Sequence, residues 1–172
     1  KAIWEPGSKI QRWSQIRQGW PNQPLRLYGA GADSGTFDYF TEAIVGKAKA
    51  IRTDYQPTED DNVTIKGVAG DTYAMGFLGY AYYEENKDKV KAVAIDHGKG
   101  CVLPSRETVL DGTYQPLSRP LFIYVNVKSL DRPEVQAFVD FYLSPAARRA
   151  IRSTGYVELP SEAYRTGQEL VK

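Results

Sequence analysis

The stretch from Leu25 to Phe40 constrains this chain more than any other. Leu25 and Leu27 alternate with Arg26 and Tyr28, the period of a short strand. Gly29-Ala30-Gly31-Ala32 then loosens the backbone into a turn. After Asp33-Ser34-Gly35-Thr36, apolar Phe37, Phe40 and Ile44 recur at helical spacing, with Asp38, Thr41 and Glu42 on the other side. Asp33 or Ser34 is suited to cap that helix, and Gly46 to close it. The first turn of a helix offers unpaired N–H groups and the positive end of the macrodipole. Two hydroxyls and a glycine at that point leave a tetrahedral oxyanion free to rest on those donors. The segment reads as an anion cradle.

Three other readings share these residues. Gly29-x-Gly31 after a strand hints at a dinucleotide-binding turn, but Gly35 is one residue off that fingerprint, and no clean βαβ unit ends in an acid about twenty positions on. Asp33-Ser34-Gly35-Thr36 also spells the active-site tetrapeptide of aspartic proteases, whose chemistry needs two carboxylates sharing a proton. Here the Asp follows Gly-Ala-Gly-Ala rather than an apolar strand, and the chain holds no second copy. The plainest reading is a strand–turn–helix joint with a capping serine and nothing bound.

The 172 residues suffice for one moderate domain or two small lobes, with a real core. Lys and Arg total 22 against 21 Asp and Glu, a balance that disfavours nonspecific nucleic-acid binding. Arg148, Arg149 and Arg152 are expected to form a solvated basic face, without the interleaved aromatics that stack bases. A single cysteine, Cys101, excludes an internal disulfide, and a single histidine, His97, lies in the polar loop Asp96–Gly100. A transition-metal site is therefore not expected, nor any cofactor, and no Gly-x-Ser-x-Gly elbow supports a hydrolase triad. No run of eighteen apolar residues is present, and the opening Lys-Ala-Ile-Trp-Glu-Pro does not read as a signal peptide. Ala2-Ile3-Trp4 before Pro6-Gly7 reads as the last turn of a helix that begins earlier, within a longer protein.

Strands alternate with helices, which makes the chain α/β. Arg52–Asn62 reads as an exposed acidic loop leading into a helix, and Val63–Val68 is ambiguous between helix and strand. A short helix is expected over Asp71–Ala74, a strand-like run over Met75–Tyr80, and an exposed helix over Ala81–Lys89. Val90–Ile95 and Leu121–Val125 read as strands, with a helix at Arg106–Leu110. Further helices are expected over Pro133–Leu143, over Pro145–Ser153, and up to Val171.

Several separated segments fit one family. The run Gly31–Phe40 resembles the phosphate-site segment of periplasmic phosphate-binding proteins, the PstS-like receptors of the high-affinity phosphate ABC transporter. Glu59-Asp60-Asp61-Asn62, then Gly67-Val68 and Gly76–Tyr83, are similar to its next stretch in order and spacing. Pro116–Val125 resembles the segment that crosses back between lobes, and Phe141–Ser144 and Gly155–Val157 match the C-terminal helices.

The resemblance implies a type II periplasmic-binding-protein-like fold with the anion held between two α/β lobes. Residues 1–115 would form the second lobe and residues 116–172 the crossover and C-terminal part of the first, whose N-terminal part, with its own helix terminus and proton-accepting Asp, is not in this chain. It implies a non-enzymatic receptor that captures inorganic phosphate and delivers it to the permease subunits of an ABC transporter. The location implied is periplasmic, or on the cell surface as a lipoprotein, with the membrane met only through the permease or an anchor. Ser34, Gly35 and Thr36 match the residues that grip phosphate. Many relatives carry an Arg four residues before that Ser, where Ala30 stands here, and Arg52 is the substitute candidate, or else the partner of Asp54 or Glu59 in a surface ion pair. Asp33 is a candidate for reading the proton of hydrogen phosphate, or else a cap or an ion-pair partner of Arg52. Ser118 and Arg119, near the crossover, are expected as hinge scaffolding with ligand contact as the alternative, and Tyr80, Tyr82, Tyr83 and the tryptophans as core and interlobe packing rather than a sugar platform. Other oxyanion receptors (sulfate, molybdate, tungstate), a non-binding assembly module and a phosphatase using Ser34 stay open as alternatives.

Overall fold

The computed structural model describes residues 1–171. Three parallel strands form its central sheet: β1 (Arg26–Ala30) in the middle, β2 (Gln56–Thr58) on one side and β3 (Ala74–Phe77) on the other. Tyr28 lies opposite Gln56 in one ladder and Gly76 in the other. Each strand feeds a helix: α1 (Gly35–Phe40), α2 (Asp61–Ala69) and α3 (Tyr80–Glu85). All three helices therefore start at the carboxyl edge of the sheet, the side where open parallel sheets take their ligands.

Alternation along β1 divides two packing faces. Leu27 and Gly29 share one face with Phe77, whose ring lies over Gly29 in the space a Cβ would need. Phe40 stacks on Phe77 with centroids 3.9 Å apart, and Trp4 meets both rings edge-on. With Leu27, Ala30, Phe37 and Val45 these form the core. On the other face Tyr28 lies against Gly67 of α2, which as glycine leaves the ring its space, and Gly76 admits Val68 and Thr64.

The α1 helix does not keep its period. At Thr41 it widens into a π-helical turn over Thr41–Val45, where the Gly46 N–H reaches back to the carbonyls of both Thr41 and Glu42. The Thr41 hydroxyl anchors this widening: it donates to the Phe37 carbonyl at 2.9 Å and accepts the Lys49 N–H at 2.8 Å, with no exposed surface left. The extra residue shifts the phase. The helical period predicts Ile44 in the core; the structure buries Val45 and leaves Ile44 half-buried. Gly46 closes the run with φ 96°, as expected.

Other segments part from expectation. Asp71–Tyr73 is a turn rather than a helix, held by the Asp71 carboxylate accepting the Tyr73 N–H at 2.8 Å. Val63–Val68 resolves as helix within α2, because Asp60 caps it by accepting the Asn62 N–H. Of the expected strand Val90–Ile95, only Ile95 enters a ladder: β4 (Ile95–Asp96) pairs with β5 (Cys101–Val102), with His97 in the turn between them. Leu121–Val125 joins no sheet, although its composition is the most strand-like in the chain. A strand needs a ladder partner for its N–H and C=O groups, and none of the described residues supplies one. Helices α4 (Arg106–Leu110), α5 (Pro133–Tyr142), α6 (Pro145–Ser153) and α7 (Ser161–Leu170) lie where the pattern places them.

Candidate functional site

The cradle is built at the exit of β1. Ser34 has extended backbone and caps α1: its hydroxyl accepts the Thr36 N–H at 3.1 Å, and its carbonyl accepts the Asp38 N–H at 3.2 Å. The Gly35 N–H has no acceptor among the described residues, and Gly35 is exposed. Ser34, Gly35 and Thr36 thus stand together at the start of one helical run, as the sequence implies. The cap is Ser34; Asp33 beside it is exposed, and its ion pair with Arg52 does not form.

Arg52 takes the ion pair with Asp54, the second of its two expected roles, but in a buried rather than a surface position. It is 4% exposed, and its Nε and Nη2 donate to the two Asp54 carboxylate oxygens at 2.5 and 2.7 Å. Nη1 donates to the carbonyls of Ile3 and Ile10 at 2.9 and 2.8 Å, while the Arg52 N–H bonds the Trp4 carbonyl at 3.0 Å. The fork proposed for phosphate instead pins the segment from Ile3 to Ile10 to the body of the chain. The physical reason is the pairing within Arg52-Thr53-Asp54: a carboxylate two residues on satisfies the fork locally, and the remaining donors find carbonyls. The Asp54 carboxyl is in turn held below the ordinary carboxylate range, chiefly by its hydrogen bonds from Arg52.

Two residues at the cradle were not among the expected ligand contacts. Glu59, at the exit of β2, lies over Gly31 in the space a Cβ would fill and accepts the Asp33 N–H at 3.4 Å. Proximity of two strand exits in a 2-1-3 parallel sheet brings it there, and the sequence signal was only its place in the acidic run Glu59–Asp61. That run perturbs its neighbours: burial, with Asp60 and Glu59 close by, raises the Asp61 carboxyl. The second residue is Arg119, expected as scaffolding. Its guanidinium lies over the Tyr39 ring, 5.1 Å from the centroid, with Nη2 3.5 Å from the Gly35 carbonyl. Tyr39 in turn donates its phenol to the Pro116 carbonyl at 2.5 Å. Ser118 keeps the scaffold role, its hydroxyl donating to the Val109 carbonyl at 3.3 Å.

Among the described residues no group of three or more His, Cys, Asp or Glu is placed to hold a metal, and no helix is long and apolar enough to cross a membrane. On the expected solvated basic face of α6, Arg148 and Arg152 share the single carboxylate of Glu158 and Arg148 stacks over Tyr164, while Arg149 is exposed.

The PBP superfamily domain model matches residues 1–146. The chain belongs to the PBP superfamily. It is 53% identical over 171 residues to Protein SphX of Synechocystis, covering 98% of this chain and 51% of that protein. It is 35% identical over 159 residues to the phosphate-binding protein PstS of Staphylococcus haemolyticus, covering 91% of this chain and 49% of that one. The crystal structure of a possible phosphate-binding protein from Planctomyces limnophilus superposes with a TM-score of 0.84 at 46% identity, over 98% of this chain and 60% of that one. The chain thus spans about half the length of the curated relatives it matches. PstS from Borrelia burgdorferi, at 19% identity and a TM-score of 0.58, shares the fold.

Proposed function

We propose that the protein containing this chain captures inorganic phosphate at Ser34, Gly35 and Thr36 and delivers it to the permease subunits of an ABC transporter. The observation that carries this reading is the capped, glycine-opened helix start at the carboxyl edge of a parallel sheet, with an unsatisfied Gly35 N–H. Similarity along nearly the whole chain to a protein named phosphate-binding supports it. In this reading residues 1–115 act as one lobe, residues 116–172 as the crossover and part of the other, and the anion enters between lobes. In this reading the working compartment is the periplasm or the outer cell surface, where a receptor meets the permease it supplies. Binding rather than turnover suits a site whose serine hydroxyl is engaged as a helix cap.

Ligand choice follows from the carboxylates. Glu59 touches the cradle and Asp33 borders it, so an incoming anion meets negative charge. An anion that brings its own proton, hydrogen phosphate, turns that repulsion into a hydrogen bond, whereas sulfate cannot. Arg52 is left out of this assignment because its donors are engaged elsewhere.

Isothermal titration with phosphate and with sulfate tests the reading. Phosphate-selective heat that is lost in Ser34→Ala is the expected result, with sulfate binding gained in Glu59→Gln. Equal affinity for both anions in the unaltered protein, or binding untouched by Ser34→Ala, overturns it.

A further inference from the structure

We propose that Arg119 is an anion-binding residue, supplying the guanidinium fork that grips the ligand held at Ser34–Thr36. This rests on the phosphate-binding reading above and assigns to that site its cationic arm.

Two properties of Arg119 carry the proposal. The first is electrostatic. Among the described residues Arg119, like Arg12, Arg17, Arg106 and Arg149, has no carboxylate within ion-pair distance, and of these it is the one whose guanidinium is hydrogen-bonded at the cradle. Its charge is instead held beside Gly35, at the positive end of a helical run of six α residues continued by five in a π turn. A cation there is repelled by the helix dipole, whose N-terminus favours anions. Its bond to the Gly35 carbonyl, at 3.5 Å, is at the outer limit of hydrogen-bond geometry and recovers little. An oxyanion seated on the Gly35 N–H would supply the missing countercharge to the helix end and to Arg119 together.

The second property is placement. The guanidinium is not adrift: it stacks on Tyr39, and Tyr39 is fastened by its phenol to the Pro116 carbonyl, and more weakly to that of Ser118 at 3.4 Å. A stacked guanidinium keeps its in-plane N–H groups free, and two of them match two oxygens of a tetrahedral anion. Nε and Nη1 donate to no protein group among the described residues. Arg119 and the cradle lie 84 residues apart in sequence, so an anion gripped by both also ties the segment Pro116–Arg119 to α1.

The test is phosphate titration of the unaltered protein, Arg119→Gln and Arg119→Lys, each with ligand-free thermal unfolding measured alongside. The expected result is a loss of phosphate affinity of about 10- to 100-fold in Arg119→Gln, the size of one charge-assisted contact. Arg119→Lys should recover part of it, as a point charge without a fork. Because the cation opposes the helix dipole, ligand-free stability of Arg119→Gln should not fall, while its phosphate-induced rise in Tm shrinks. Affinity in the unaltered protein should also decline more steeply with added salt than in Arg119→Gln. Phosphate affinity unchanged in both variants overturns the proposal and leaves the phosphate reading standing. So does a loss of affinity matched by an equal loss of ligand-free stability, which marks Arg119 as structural. No phosphate binding by the unaltered protein overturns both readings.

Discussion

The first seventy-seven residues and the last fifty-six are patterned alike but buried differently. Trp4, Leu27, Phe37, Phe40 and Phe77 are all at or below 9% exposed, packed ring on ring against one face of the sheet. Beyond Pro116 the large apolar residues are outside: Phe122 is 69% exposed, Tyr124 93%, Phe138 60% and Leu170 82%, and the buried apolar residues are Val139 and Ala147. Local sequence chemistry makes helices in both regions, with Pro at the first turn of α5 and α6 and Ser144 capping α6. What the first region has in addition is a sheet, a flat surface against which helical faces can close. Secondary structure is thus a local property here, whereas burial is a property of what lies opposite.

The sharpest way to break this comparison is a large-to-small change on each side. Phe77→Ala empties the centre of the aromatic cluster and should cost about 3–5 kcal/mol in urea unfolding. Phe122→Ser should stay within about 0.5 kcal/mol, and a comparable loss at both positions would show that the C-terminal region has a buried core of its own.

The next largest effect concerns the clamp at the start of the chain. Arg52→Ala removes a buried cation with its carboxylate and two carbonyl partners, at a cost of about 3 kcal/mol. Its pH dependence follows from Asp54. That carboxyl titrates below its ordinary value when folded, so its contribution is present above the unfolded value and is lost as pH falls through the folded one. Acid unfolding should therefore set in through this pair, and Asp54→Asn should flatten the acid limb while lowering stability at neutral pH. An unchanged acid limb in that variant would assign it to other carboxylates.

The smallest effect sharpens the contrast between fold and site. Ser34→Ala deletes a cap and should cost about 1 kcal/mol of stability, yet abolish most phosphate binding. A variant that binds normally would reduce the cradle to a helix cap.

Much of this was legible beforehand, for identifiable reasons. The joint at Leu25–Phe40 announced itself because period, capping residues and glycines agreed within sixteen positions. Arg106–Leu110 was readable from its end at Asp111-Gly112, and the structure adds Ser105 as its cap. Arg52 was not, since whether a fork faces a ligand or two carbonyls depends on Ile3 and Ile10, some forty residues away. Glu59 and Arg119 reach the cradle across strand order and a crossing segment, and neither leaves a local pattern. Leu121–Val125 failed in the opposite sense: composition encoded a strand that has no ladder to enter.

The π turn at Thr41–Val45 carries a consequence for chain length. It stores one residue more than a regular helix needs, and the core is filled by Val45 rather than Ile44. Deleting Ala43 would bring Val45 to the seventh position after Phe37, where an ordinary helix already presents its core face. A one-residue deletion, which in most helices rotates every later side chain off its target, should here leave the hydrophobic contacts in place. The chain between the cradle and Gly46 is in that sense spelled with a letter to spare.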